Sequence, residues 1–549
     1  MDLAAKRARL LPLALLAFPL LWLVTAGGEV IGGPNMDLVG HLSTMLHCSM
    51  GEPFETTMIA WPRGADLLTI VGGWGDIFLA CPLVEPLGLR WAYNLVFAVY
   101  VLLAGVGGWV LARELGASTP AAVVAGLVLQ LDGFVLQNMC DGRLEQGALG
   151  LVALAMAGAV HCWRQRSWGV AVATGLAGAA TVYASWELAL FLALAMVLLA
   201  PWIAAGERAP GAIGRWAVAG GVAALLAGPW ALFFLERASE ARDLHEGLAT
   251  VEDARIASVG LVTALAGRTA GNPATLPLLA LLALPWTVAR RDRGLFLGLG
   301  LMLVVGLLLA LGPDPGLLRA GDVEVLQGHG PYAWLQGLPV LGWFHTPNRF
   351  LCLWSVVAAV AAALALDRIA ARRRWLGPAL AVVLVLSGLG EAHWGGYRPH
   401  GGYHIPDHQG LQGLAAQPGD GVVLDLPVRE HRLHVLPYQA MQLTHRRPIP
   451  YHMTSPLLTT QGIGEREHRN GFMRWFRGQV AGGSPEPFER SDLEQLRGYG
   501  YRWVVLNRSV VHWAAQERVV RAMEEGLGEP MLSDGDGQWL CWELPESGE

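Results

Sequence analysis

Asp37 and His41 stand four residues apart in Gly32–Pro62, a polar stretch that follows the first apolar run of the chain. Four residues are about one helical turn, so on a helix the carboxylate and the imidazole share a face. A carboxylate at a membrane edge, partly out of water, has its pKa raised, which suits a general base. The competing reading is structural, with Asn35 or Asp37 capping a helix over Leu38–Leu46. Glu52, Glu55, Asp66 and Asp76 are second carboxylates of the same region, and each alone reads as a solvated or capping residue.

Two arginines offer phosphate chemistry. Arg63 lies in the turn Pro62–Leu68. It either meets an anionic head group or pyrophosphate with its forked donors or simply sits at the interface. Arg349 ends Phe344-His345-Thr346-Pro347-Asn348-Arg349 and opens an apolar run. It is a snorkelling anchor or a phosphate ligand. The ligand reading is preferred, because the outer side is otherwise poor in spans that begin with arginine. His345 stands four residues before it. Asp141-Gly142-Arg143-Leu144-Glu145 is a tight polar turn, and Tyr183 and Glu187 fall at the next outer turn. These residues line one cavity or only cap helices.

The elements that carry these residues are apolar blocks. Of 549 residues, 53% are hydrophobic and 15% charged, with mean hydropathy +0.39. Soluble domains average about 25% charged. The blocks reach membrane-crossing length at Trp91–Ala112, Ala121–Met139, Gln146–Trp163, Trp168–Tyr183, Leu188–Ala204, Trp216–Leu235, Leu276–Ala289, Leu295–Gly312, Phe350–Leu366 and Leu376–Leu389. With Leu10–Ala26 that makes about 11 transmembrane helices. Lys6, Arg7 and Arg9 precede the first run, which is an anchor or, with Val24-Thr25-Ala26 as a cleavage site, a signal peptide.

Alternation puts Arg113, Arg164, Arg208, Arg290 and Arg368 on the side of the N-terminus, in short basic loops. Parity and the positive-inside rule therefore agree on a cytoplasmic N-terminus. The long polar loops 28–90, 236–274 and 313–349 fall on the other face, where elaborate loops carry function. Ser118-Thr119-Pro120 has helix-start chemistry, and Pro229 and Pro285 are expected to kink their helices.

Residues 1–394 thus form a transmembrane domain, and 395–549 read as an extracytoplasmic α/β domain. Its strands are expected at Val422–Leu426, Trp503–Leu506 and Trp539–Leu544, with helices at Leu433–Leu443, Gly464–Phe476, Ser491–Arg497 and Val511–Glu525. The net charge of −6 gives no nucleic-acid signal. The six cysteines are scattered, and His431, His434, His445 and His452 fit no standard metal spacing.

The order of these features resembles the GT-C superfamily of polytopic membrane glycosyltransferases, and most its bacterial YfhO-like branch. The matching pieces are the first outer loop with Asp37 and His41, the Pro62–Leu68 turn, Trp91-Ala-Tyr-Asn-Leu95, Asp141–Glu145 and Pro347-Asn-Arg-Phe350. In the tail they are Val423-Leu-Asp-Leu-Pro427, His445-Arg-Arg-Pro448 and Tyr499-Gly-Tyr-Arg-Trp-Val-Val505. The resemblance covers nearly the whole chain. It implies a GT-C-like helical fold in a bacterial inner membrane and a site on the extracytoplasmic face. It also implies a polyprenyl-phosphate sugar donor, a cell-envelope glycan, lipid or protein acceptor, and Asp37 as the base of an inverting transfer. His41, Arg63, Asp66, Arg143, Glu187, His345 and Arg349 are then the expected substrate and lipid-phosphate residues. No metal ligand is assigned, although the chemistry leaves room for a divalent cation. The rival readings are a transporter or flippase and a lipid-sugar-binding protein without catalysis.

Overall fold

The computed structural model describes residues 28–33, 36–61, 64–70, 73–205, 208–240, 293–313, 330–336, 346–394, 402–428, 432–450, 469–483 and 485–546, with isolated positions at 16, 17, 21, 26, 268–269 and 272–273. Helices used below are α1 (Met36–Ser49), α2 (Gly75–Leu87), α3 (Leu89–Glu114), α4 (Thr119–Gln130), α5 (Gly133–Cys140), α6 (Leu149–Arg164), α7 (Trp168–Ala184), α8 (Trp186–Ala204), α9 (Ala212–Glu240), α10 (Arg293–Ala310), α11 (Cys352–Arg372), α12 (Leu376–Trp394) and α13 (Arg432–His445). The strands are β1 (Val422–Leu426), β2 (Tyr501–Asn507), β3 (Leu532–Ser533) and β4 (Trp539–Glu543). The chain divides into two compact units: Met1–Gly33, Val71–Ala80 and Arg90–Gly402 in one, and Pro34–Ile70, Cys81–Leu89 and Tyr403–Glu549 in the other.

The first unit is helical and polytopic. Among the described residues, Leu89–Glu114, Leu144–Arg164, Trp186–Ala204, Ala212–Arg237 and Pro347–Arg372 are long and apolar enough to cross a membrane. Thr119–Gln130, Trp168–Ala184, Phe296–Ala310 and Leu376–Gly390 are shorter apolar helices. Most of Leu10–Ala26 and all of Leu276–Ala289, with Pro285, lie outside the described residues.

Small residues set the helix spacing here, as they do when close backbone approach must replace a hydrophobic driving force. A methyl group at Gly150 of α6 would come 2.2 Å from the Leu103 carbonyl of α3, and one at Gly107 of α3 would come 2.3 Å from the Gly150 oxygen. The two glycines therefore form a backbone-to-backbone crossing that no side chain fits. Ser118 caps α4 by accepting from the Ala121 N–H at 3.4 Å, and Asp367 of α11 accepts from both the backbone N–H and the hydroxyl of Ser118. Pro229 lies inside the 29-residue α9.

The expected Ala121–Met139 span is two helices. α4 ends at Gln130 and α5 starts at Gly133. Asp132 lies at the break, 2% exposed, and accepts from the Ser355 hydroxyl at 2.9 Å and the Val135 N–H at 3.4 Å. A buried aspartate that bonds the next turn competes with helix continuation.

The second unit has a four-stranded sheet in the order β1-β2-β4-β3. β1 and β2 are parallel, and the other pairs are antiparallel. Val422, Leu424, Leu426, Phe472, Trp475, Leu496, Val504 and Trp542 are among its core residues. The segment after α1 joins this unit through its backbone. The Trp61 N–H donates to the Ile449 carbonyl at 3.2 Å, and the Ile449 N–H donates to the Met58 carbonyl at 2.9 Å. The Gln442 side-chain amide also reaches the Met58 carbonyl, at 2.5 Å, and α1 packs on α13.

His445 ends α13, buried, with Nδ1 accepting from the Arg447 N–H at 3.0 Å. Burial, and then the Arg447 charge, pushes its pKa down from 6.5 to about 3. The native state keeps this ring neutral while the unfolded chain protonates it near pH 6.5. Stability is therefore lost as pH falls from about 6.5 towards 3, by at most about 1.4 kcal/mol per pH unit. Burial pushes the carboxyl of Asp425, on β1, upward, which gives the opposite trend. The difference between wild type and His445→Gln isolates the histidine. Thermal unfolding of the whole protein as a function of pH should show a shallower acid loss in the variant.

Candidate functional site

A cluster of buried polar side chains gathers in the first unit. Gly73-Trp74-Gly75-Asp76 lies against the end of α7, with the Trp74 N–H on the Tyr183 carbonyl at 3.1 Å. A methyl at Gly73 would come 2.1 Å from the Ala184 oxygen and 2.6 Å from Cβ of Glu145. One at Gly75 would come 2.8 Å from Cα of Ala184. Only glycines let the chain pass this close. The passage seats Asp76, in the first turn of α2, so that its carboxylate lies within 4.8 Å of that of Glu145. Asp76 is 0% exposed and Glu145 5%. Two carboxylates this close can offer oxygens to a hard divalent cation.

Glu145 belongs to the 3₁₀ turn Leu144–Ala148, and the next residue extends the cluster. Gln146 Nε2 donates to Glu187 Oε2 at 2.9 Å. Glu187 sits in the first turn of α8, whose N-cap Ser185 accepts from the Leu188 N–H at 3.4 Å. Negative charge is favoured at that end of a helix. Arg349, in the 3₁₀ turn Pro347–Leu351, donates from Nη1 to both Glu187 oxygens at 2.5 Å. One turn further along α8, Phe191 meets Phe350 edge-on with ring centroids 4.9 Å apart, and Tyr332 meets Phe350 from another direction at 6.4 Å. Residues i and i+4 of α8 thus hold consecutive residues of the 3₁₀ turn.

An apolar cavity of about 310 Å³ adjoins this cluster in sequence and in space. Gly73, Trp74, Tyr183, Trp186, Trp230 and Phe234 line it. Trp230 stacks on Tyr183 at 5.5 Å and meets Trp74 edge-on at 6.3 Å.

The expected site residues fall into three groups. Glu187 and Arg349 are brought together, in direct contact. Arg143 precedes the Leu144–Ala148 turn and donates to Asn138 Oδ1 at 3.2 Å. In the second unit, Asp37 lies half-buried in the first turn of α1, and His41 lies one turn on, 9% exposed. Asp66 ends the two-residue strand Ala65–Asp66, paired with Glu55–Thr56, and its Oδ1 accepts from the Leu68 N–H at 2.9 Å. Glu52 accepts from the Thr56 hydroxyl at 2.5 Å. Arg63 and His345 lie outside the described residues. Asp76 and Gln146 are additions that the residue types alone did not single out. The signal for Asp76 was the pair of glycines flanking Trp74, which marks a close backbone approach.

The fold of this chain, a polytopic helical bundle with a small α/β tail, is similar to that of solved membrane glycosyltransferases. Arabinofuranosyltransferase AftD from Mycobacteria superposes with a TM-score of 0.58 at 17% identity over 90% of this chain and 36% of its own. This chain therefore spans about a third of the length of AftD. ArnT from Cupriavidus metallidurans matches end to end in the apo state, with a TM-score of 0.54 and 14% identity over 99% of this chain and 98% of its own. The structure of ArnT bound to undecaprenyl phosphate gives 0.52 at 14% identity. At these identities the likeness is one of fold, and it does not single out the YfhO-like branch. No protein-family model matches the chain, and no curated protein sequence does.

Proposed function

We propose that the protein is a GT-C-type glycosyltransferase that takes a sugar from a polyprenyl-phosphate donor and passes it to a cell-envelope acceptor. The observation that carries this reading is the buried Glu187–Arg349 pair of the first unit. An arginine at the end of a membrane helix balances the charge of a lipid phosphate as it leaves. The apolar cavity of the same unit, lined by Trp186 of the helix that carries Glu187, suits an isoprenoid tail, delivered from the side. The GT-C fold and the undecaprenyl phosphate found with ArnT support the same donor class.

In this reading Asp37 takes the proton of the acceptor hydroxyl as it attacks the anomeric carbon. The C1–O bond to the lipid phosphate breaks, the phosphate keeps the electron pair, and the configuration inverts. Asp76 and Glu145 are the residues of the first unit that can offer oxygens to a divalent cation. The membrane is a bacterial inner membrane with the N-terminus in the cytoplasm, as the basic loops indicate. The rival transporter reading needs ionisable relays within the spans. Asp132, one of the few ionisable residues within the expected spans, lies at a helix break and bonds Ser355 and the next turn.

Sugar transfer by purified protein in lipid nanodiscs tests the proposal, with a panel of polyprenyl-phosphate sugars and envelope acceptors. Wild type should transfer, and Asp37→Asn should be about 10²–10⁴-fold slower with an unchanged unfolding temperature. Transfer that survives the change moves the base elsewhere. Lipid-sugar binding without transfer over the whole panel favours the binding-protein reading.

A further inference from the structure

We infer that Glu187 is a stand-in ligand for Arg349: it occupies the guanidinium that the donor's phosphate takes over, and Gln146 is the partner on which it retreats. The inference rests on the donor reading above. A carboxylate and a phosphate present similar oxygens to a guanidinium, and Glu187 already places both of its oxygens on Arg349 Nη1. The exchange leaves the carboxylate one side-chain hydrogen bond and a favourable helix end in place of its counterion. Gln146 Nε2 holds Oε2 at 2.9 Å from the opposite partner, and the first turn of α8 favours negative charge. Arg349 meanwhile has little reason to move its backbone, because Phe350 is held between Phe191 and Tyr332. The exchange therefore needs only side-chain rotation.

A purely structural ion pair and a stand-in ligand predict opposite results. A competitor inside the site lowers apparent affinity in proportion to the fraction of time the site is closed, so weakening the competitor tightens binding. If the arginine is open about a tenth of the time, Glu187→Gln should bind phosphate about tenfold more tightly. The carboxamide keeps one oxygen to accept from Arg349. Gln146→Leu has the opposite effect, because Glu187 then has less to retreat to and holds Arg349 harder. A structural pair that never yields Arg349 predicts weaker or equal binding for Glu187→Gln and unchanged binding for Gln146→Leu.

The test measures binding of undecaprenyl phosphate, and of undecaprenol as the same tail without the phosphate, to the full chain in nanodiscs. Phosphate-dependent binding by wild type upholds the donor reading, and its absence overturns that reading together with this inference. Given such binding, tighter binding by Glu187→Gln and weaker binding by Gln146→Leu are the expected results, with Glu187→Gln unfolding earlier than wild type because it removes one charge of a buried pair. Equal or weaker binding by Glu187→Gln overturns the inference alone. If that variant does not fold, Gln146→Leu decides: weaker binding upholds the inference and unchanged binding overturns it. If neither folds, the pair is structural and the inference is overturned.

Discussion

Arg349→Ala lowers stability by about 3–5 kcal/mol, the usual consequence of removing one partner of a buried ion pair. The side chains of Arg349 and Glu187 are only 15% and 7% exposed, so water cannot take the arginine's place at the carboxylate. Gln146 still donates its single hydrogen bond, but the charge is left without its counterion. The cost belongs to the stranded charge rather than to the attraction, and removing both charges shows this. Glu187→Leu combined with Arg349→Leu should recover most of the loss. Thermal unfolding of wild type, Glu187→Leu, Arg349→Leu and the double variant in one detergent completes the cycle. If Arg349→Ala unfolds within a degree or two of wild type, the pair is not buried as described.

Gly150→Leu prevents folding of the first unit. The hydrogen on Gly150 faces the backbone of α3, where a methyl carbon would lie 2.2 Å from the Leu103 carbonyl and 2.4 Å from the Ala104 nitrogen. Backbone cannot rotate out of the way as a side chain can, so the two helices must separate. Overpacking by small groups costs about 1–3 kcal/mol where neighbours can adjust, and here they cannot. Gly150→Ala should already be strongly destabilised, and Gly150→Leu should give no monodisperse protein in detergent. Gly228, in α9, is the control. Among the described residues nothing lies within 4 Å of a carbon built there, so Gly228→Leu should be purified in wild-type yield.

Much of the architecture was legible because it depends on local pattern. The apolar blocks that fall within the described residues became helices, since a membrane leaves the backbone no other way to satisfy itself. Trp168–Tyr183 was expected and Trp168–Ala184 is found. The β-branched run Val422–Leu426, bounded by Gly421 and Pro427, is a strand with those limits. Ser118 caps as its position before Pro120 implied.

What stayed hidden depends on partners far away in sequence. Asp132 looked like one polar residue in a long span, and only Ser355, 223 positions later, makes it a helix break. Glu187 and Arg349 were each read as facing substrate, yet they are 162 positions apart and meet each other. Asp76 passed for a solvated carboxylate because nothing local shows that Ala184 and Glu145 lie beside it.

The backbone and side-chain bonds around Met58 and Trp61 carry a cost in time. Gln442 reaches Met58 across 384 positions, and the Trp61 indole reaches the Tyr499 carbonyl at 3.5 Å across 438. The ribosome makes this early segment long before the residues that will hold it. During that delay its apolar positions, among them Met58 and Ile59, which end fully covered, have no native cover. Long-range closure of this kind is slow and leaves sticky intermediates. Assembly of the second unit therefore waits on distant sequence: the loop that follows α1 cannot be closed before Gln442 and Tyr499 have been made.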